Sequence, residues 1–246
     1  MSDTHDIDHI LNEWPHQSGV ISARLVRAGD GREVVQMRVE MGVLQMEAEG
    51  RPDGEHPEGA DTYLDALIQL TFGPDDAFEL TEKQCFEVDR EFMQFYHRRI
   101  CWLALREFDR AIADADHTLA LMDFAAEHAS NSDWGLSHEQ YRPFVLFHRT
   151  QAASLRALQG SGAESAIEEI NHGLQSIHEV FAAAEAEEDF AEDELVGQLV
   201  ELKESLRDEY HVGPTLAEQL AEAVANEEFE RAAELRDQMA RRPDHH

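Results

Sequence analysis

The apolar positions of this chain change period near residue 80. Upstream, over residues 20–48, they fall at every second position, the period of a strand with one covered face. Residues 20–27 alternate in part, Gly29-Asp30-Gly31 is a hairpin signal, and Val35, Met37, Val39, Met41 and Val43 then alternate with polar residues. Just after Gly42 the phase shifts to Leu44, Met46 and Ala48, which predicts a bulge or a bend. Gly50 to Gly54 closes this second strand. Two or three strands need a cover for their apolar face, and the helix-like residues 63–70 are the nearest candidate. A helical turn over residues 7–14, closed by Pro15, precedes them. Residues 1–80 therefore read as a small α+β unit, a β-hairpin or three-stranded meander plus a helix.

From Thr81 onward the period is helical. Thr81 and Gln84 form a capping signal. The stretch over residues 85–105 carries Phe86, Phe92, Phe95, Tyr96, Ile100, Leu103 and Ala104. The next run, 104–114, resembles the turn and second helix of a tetratricopeptide repeat. Phe108 stands three residues before a small Ala111, which lets two helices approach closely. A weaker copy runs over residues 141–181, with Phe144, Phe147, Ala152, Leu155 and Leu158, a turn at 159–162, and a second helix from Ala163. Its turn is longer, no aromatic precedes Ala166, and the two copies lie too far apart for a regular array. The resemblance is thus to a helical-hairpin geometry, and a generic four-helix arrangement fits the same spacing. Residues 81–184 are expected to form this domain.

Residues 185–194 are an acidic run. Leu195, Leu199, Leu202, Leu206 and Tyr210 then recur at spacings that suit one helical seam or a short coiled coil. Residues 185–212 read as a helical arm, either free to present the C-terminal segment or packed back on the helical domain.

Gly213-Pro214 breaks that arm, and residues 213–246 carry the best-marked segment of the chain. Thr215 and Glu218 make a capping box. Leu216, Leu220 and Val224 form one apolar stripe. Asn226 and Glu227 occupy the expected turn, and Phe229, Ala232, Ala233, Leu235, Met239 and Ala240 lie along a second helix, facing inward or toward a partner. Two helices this short bury little area by themselves, which leaves apolar surface for another protein. The run 226–239, with its ungapped Glu-Phe-Glu-Arg-Ala-Ala-Glu-Leu-Arg-Asp, resembles the UVR motif, the module through which the excision-repair proteins UvrB and UvrC bind each other. The same motif occurs in regulators of Clp-type proteases. The resemblance covers about residues 215–242 and implies a way of binding, not an enzymatic activity. It implies a partner surface of Leu216, Leu220, Val224, Phe229, Ala232, Ala233, Leu235 and Met239, with Phe229 as anchor and Arg236 and Asp237 setting register at the rim. The partner implied is another UVR-bearing protein or a second copy of this chain. The role implied is accessory to excision repair, or else regulation of a protease or kinase system. That second group often adds zinc-binding cysteine pairs, which this chain lacks.

Charge narrows the rest. With 20 Lys plus Arg against 52 Asp plus Glu the formal net charge is −32, and Lys83 and Lys203 are the only lysines. Affinity for nucleic acid comes largely from cations that displace phosphate counterions, so direct binding of nucleic acid is excluded. The start of the chain is acidic where a secretion signal needs cations, and no apolar run reaches membrane-spanning length, so a cytoplasmic protein without membrane contact is expected. Cys85 and Cys101 read as buried thiols. Fourteen histidines show no His-Glu-x-x-His spacing, His138-Glu139 lacks its second histidine, and Asp114, Asp116 and His117 read as a solvated face. No phosphate loop or nucleophile motif is present. No catalytic residue, metal or cofactor is expected, and the alternative is an enzyme in the N-terminal unit for which no motif speaks.

The charge balance makes a direct prediction. In a gel-shift titration at physiological salt the purified chain should leave duplex DNA unshifted up to micromolar protein. A salt-sensitive complex of micromolar or tighter affinity would contradict it.

Overall fold

The computed structural model describes residues 6–72 and 78–241. Within them are ten α-helices and one three-stranded antiparallel sheet, and the chain divides into two compact units, residues 1–145 and 146–246. These limits do not coincide with the segment limits drawn at 80, 184 and 212.

In the first unit, helix α1 (Asp8–Glu13) precedes strands β1 (Ser22–Arg27), β2 (Glu33–Val39) and β3 (Gly42–Glu47), ordered β1-β2-β3. The Gly31 N–H donates to the Ala28 carbonyl (2.9 Å), and Gly31 has a φ of +92°, the left-handed position this turn needs. Val39 pairs with Gly42, so Glu40 and Met41 alone make the second turn. The phase break after Gly42 is therefore a full chain reversal and not a bulge. Met41, counted among the alternating strand residues, is 89% exposed at its tip. The sheet is the meander.

Helix α2 (Tyr63–Thr71) starts at a Thr62 cap, and α3 (Glu82–Leu105) starts at the Thr81–Gln84 capping box with both of its bonds present. The helix alongside β1 and β2 is α3, not the expected 63–70 segment. The apolar stripe of α2 is already used: Leu64 and Leu67 pack with Leu80, Val88, Leu121, Phe124 and Ala125. Helices α3 and α4 (Phe108–His128) form the anticipated hairpin. Arg106 turns it in the left-handed region (φ 62°), and Phe108, Ala111 and Ala115 are buried where the helices meet.

Charge runs through this unit's interior. Glu91 on α3 is fully buried and accepts from the backbone N–H groups of Tyr63 (2.6 Å) and Leu64 (3.0 Å), capping α2 from outside. Arg51 (3.3 Å) and His117 (2.9 Å) complete its shell. Arg98 holds Asp114 through two bonds of 2.9 and 2.7 Å and reaches the carbonyls of Glu47 and Gly50. Asp114 is thus buried, and His117 largely so, which overturns the solvated-face reading for these two, while Asp116 is exposed as expected. The α3 stripe supplies carboxylate and guanidinium partners that a one-helix reading does not show. Arg99 lies beside this pair, and burial brings its guanidinium down to about 10. Cys101 is a buried thiol pushed up to about 12 by burial, whereas Cys85 is only partly covered. Short α5 (Ser132–Ser137) comes next, its first turn capped by the Asn131 side chain.

The division between the units falls within α6 (Arg142–Gly160). The second unit contains α7 (Ala163–Ala183), α8 (Glu194–Tyr210), α9 (Leu216–Ala225) and α10 (Phe229–Arg241). Gly162, at φ 99°, ends the α6–α7 turn. The two helices approach closely at Gly173, where a Cβ would stand 1.9 Å from the Thr150 Oγ1. The acidic run is tied down by a 3₁₀ segment (Glu187–Glu192) whose Phe190 packs edge-on against His178 and Phe181. Helix α8 lies along α7. Val196, Leu199 and Leu206 are buried against Ile167, Ile170 and Ile177. The expected arm is therefore packed on the body, because its seam finds an apolar partner stripe on α7. Tyr210, the last seam residue, is about half exposed.

Gly173→Ala should overpack the α6–α7 contact and cost about 1–3 kcal/mol. Thermal unfolding of the full chain checks this, and an unchanged melting temperature would show that the two helices can separate freely.

Candidate protein-interaction site

The C-terminal hairpin begins where the sequence places it. Thr215 is almost fully buried, and its hydroxyl accepts from the Glu218 N–H (3.3 Å). Glu218 Oε2 accepts in return from the Thr215 N–H (2.8 Å), closing the capping box. The turn is a Schellman motif. The Glu228 N–H donates to the Ala223 carbonyl (2.8 Å), the Glu227 N–H to the Val224 carbonyl (3.1 Å), and Glu227 has a φ of 60°. The expected turn at Asn226-Glu227 is present, and α9 and α10 pack against each other.

The hairpin has a small core of its own. Ala223, Ala232 and Leu235 are buried in it, with Leu216 and Leu220 partly buried against them. The inner stripe of α9 thus runs Leu216, Leu220, Ala223, one residue short of the expected Val224. Val224 is 55% exposed and Phe229 70%. Ala233, Arg236, Asp237 and Met239 are exposed as well. The ten residues singled out from the sequence therefore separate into two sets. Leu216, Leu220, Ala232 and Leu235 hold the hairpin shut. Val224, Phe229, Ala233, Arg236, Asp237 and Met239 face outward. The alanines at 223 and 232 explain the narrow core, since small side chains let the two helices approach closely, and little room is left for a Phe between them.

The apolar pattern does not show how the hairpin is fastened. Glu218 Oε1, the atom not used in the capping box, faces three side chains from α7 and α8. It accepts from Arg207 and from Asn171 Nδ2 (3.1 Å), and Lys203 Nζ stands 3.8 Å away. Lys203 also donates to Asn171 Oδ1 (3.2 Å). Burial tends to raise the Glu218 carboxyl, but Arg207, the Thr215 N–H and Asn171 outweigh it and hold the group below the ordinary glutamate value of 4.5. A signal for this was present: one of only two lysines sits on the polar flank of the α8 seam. Nothing in spacing alone pairs it with a glutamate beyond the Gly213-Pro214 break. Among the described residues no group of three or more His, Cys, Asp or Glu side chains could hold a metal ion, and no helix is long and apolar enough to cross a membrane.

A carboxyl with a depressed pKa stabilises the fold at neutral pH, and that contribution fades as pH falls through its lowered value, below the ordinary range. Glu218→Ala should therefore loosen α9 and α10 by on the order of 1–3 kcal/mol, the scale of a lost cap with a charged hydrogen bond. Hydrogen exchange should show faster amides in α9 and α10 at neutral pH with α7 unchanged, and the difference from the native chain should shrink in acid. Equal protection in both chains at neutral pH would refute this anchor.

No curated protein and no solved structure matches the chain. One family does match, over the hairpin just described. The capping box opens its first helix, and the exposed Phe229 stands at the start of its second. Residues 214–241 of this chain match the UvrB/uvrC motif (UVR) family.

Proposed function

We propose that this chain is a noncatalytic adaptor or regulator that docks onto a protein partner through the outer face of the α9–α10 hairpin. The observation that carries the reading is the exposure of Phe229. It is a large aromatic at 70% exposure on a hairpin whose own core is already closed by Ala223, Ala232 and Leu235. Burying a Phe side chain stabilises an interface by about 1.5–3 kcal/mol, and aromatic anchors dominate small interfaces. Val224 and Met239 extend the apolar surface, and Arg236 and Asp237 provide polar register beside it. The UVR motif supports a partner that bears a UVR motif itself, with UvrB or UvrC of excision repair as the first candidates. Regulation of a Clp-type protease or kinase system is the second pathway, and the motif alone suits both. The rest of the chain serves as a platform, its helical hairpins of tetratricopeptide-like geometry adding further surface.

Phe229→Asp separates docking from folding. The native side chain contributes little to the fold, so the substitution should change stability by no more than about 0.5 kcal/mol, as other surface changes do. Capture of the partner from the native host should fall at least about tenfold, because an unpaired carboxylate enters an apolar contact. A large drop in melting temperature with unchanged capture would reverse the reading.

A further inference from the structure

The exposed anchor lies in a predominantly acidic stretch of the chain. Phe229 is flanked in sequence by Glu227, Glu228 and Glu230, all exposed. Outward along the hairpin come Glu222, Glu234 and Asp237, against Arg231, Arg236 and, at the far end of α10, Arg241. Arg231 is already engaged, 2.8 Å from Glu228. The local reason for these carboxylates is plain, since those at 228 and 230 lie at the start of α10 and suit its positive end. Their consequence for docking is different. In a two-fold pair of identical hairpins each patch meets its own copy, so the rim of one anchor faces carboxylates on the other. The chain as a whole adds to the repulsion at a net charge of −32.

The geometry points to a partner that is not a second copy of this chain: a different protein offering an apolar groove for Phe229, rimmed by lysine or arginine. This inference rests on the docking reading above and decides between the two kinds of partner it leaves open. A cationic rim would face Glu227, Glu230 and Glu234 across the apolar contact, pairing charges where self-association opposes them. It also gives recognition a direction. A basic surface is drawn to the hairpin at long range, and acidic neighbours, further copies included, are turned away.

The test uses the full chain against a charge-reversed copy of itself as the probe. The copy carries Glu227→Lys, Glu228→Lys and Glu230→Lys. Because these positions also help start α10, a second copy carries Glu222→Lys, Glu234→Lys and Asp237→Lys instead. Circular dichroism confirms that each probe is folded. Sedimentation equilibrium is then run on each chain alone and on each mixture, from about 0.05 M to about 0.5 M salt, which shortens the screening length severalfold. The native chain alone should remain monomeric at low salt. At least one mixture should form a one-to-one complex that weakens tenfold or more at high salt and is lost when Phe229→Asp is placed in the native member. Native self-association that is as tight at low salt as at high salt would overturn the charge argument while leaving docking intact. If neither folded probe forms a complex, or the complex is indifferent to Phe229→Asp, the docking reading fails and this inference fails with it.

Discussion

One carboxylate does two jobs at the C-terminal hairpin. Glu218 closes the capping box that starts α9 and, through its other oxygen, fastens that helix to Arg207 and Asn171 of α8 and α7. A pair of short helices with five apolar residues between them has little stability by itself. Its position therefore depends on this polar joint rather than on a broad apolar contact. The arrangement leaves the outer face uncovered. A hairpin held by burying Val224, Phe229 and Met239 against the body would have nothing left with which to bind.

The first unit uses charge in the opposite way, inward. Arg38, Arg51, Arg98 and Arg99 are all nearly or fully buried, in a chain with only 20 lysines and arginines. Buried guanidiniums need carboxylates or carbonyls around them, and Glu91 and Asp114 meet that need from α3 and α4. The cations withdrawn into the interior cannot neutralise the outside. The exposed surface is therefore more acidic than the overall balance of charges states, which strengthens the case against nucleic acid and the case for a basic partner.

Several helix ends show why element boundaries are only partly readable in the sequence. Arg106, Glu185, His211 and Glu227 all adopt the left-handed conformation in which glycine is the usual signal. Each such residue costs about 1 kcal/mol relative to glycine, so the fold must impose it. At Glu227 the turn is still legible, because Asn226 and the change of apolar stripe mark it. At His211 the Gly213-Pro214 pair marks the break two residues late. By contrast Thr81, Thr215 and Gly31 carry their own local chemistry, a cap or a free φ, and their places in the structure match their places in the pattern.

What the sequence determined by itself was local: strand and helix periods, two capping boxes, the turns at Gly31 and at Asn226-Glu227, the UVR motif and the acidity that argues against nucleic acid. These come from spacing along one chain segment, so a neighbour is not needed to read them. Tertiary structure decided which apolar residues face whom. It put α3 beside the sheet, laid the α8 seam along α7, turned Asp114 inward to Arg98, and exposed Phe229 and Val224 while Ala223 took the interior. A helical stripe states only that one side of a helix is apolar. Whether that side meets the body, its hairpin partner or another protein depends on volumes and charges brought together from distant parts of the chain, and here the small alanines at 223 and 232 left the larger residues outside.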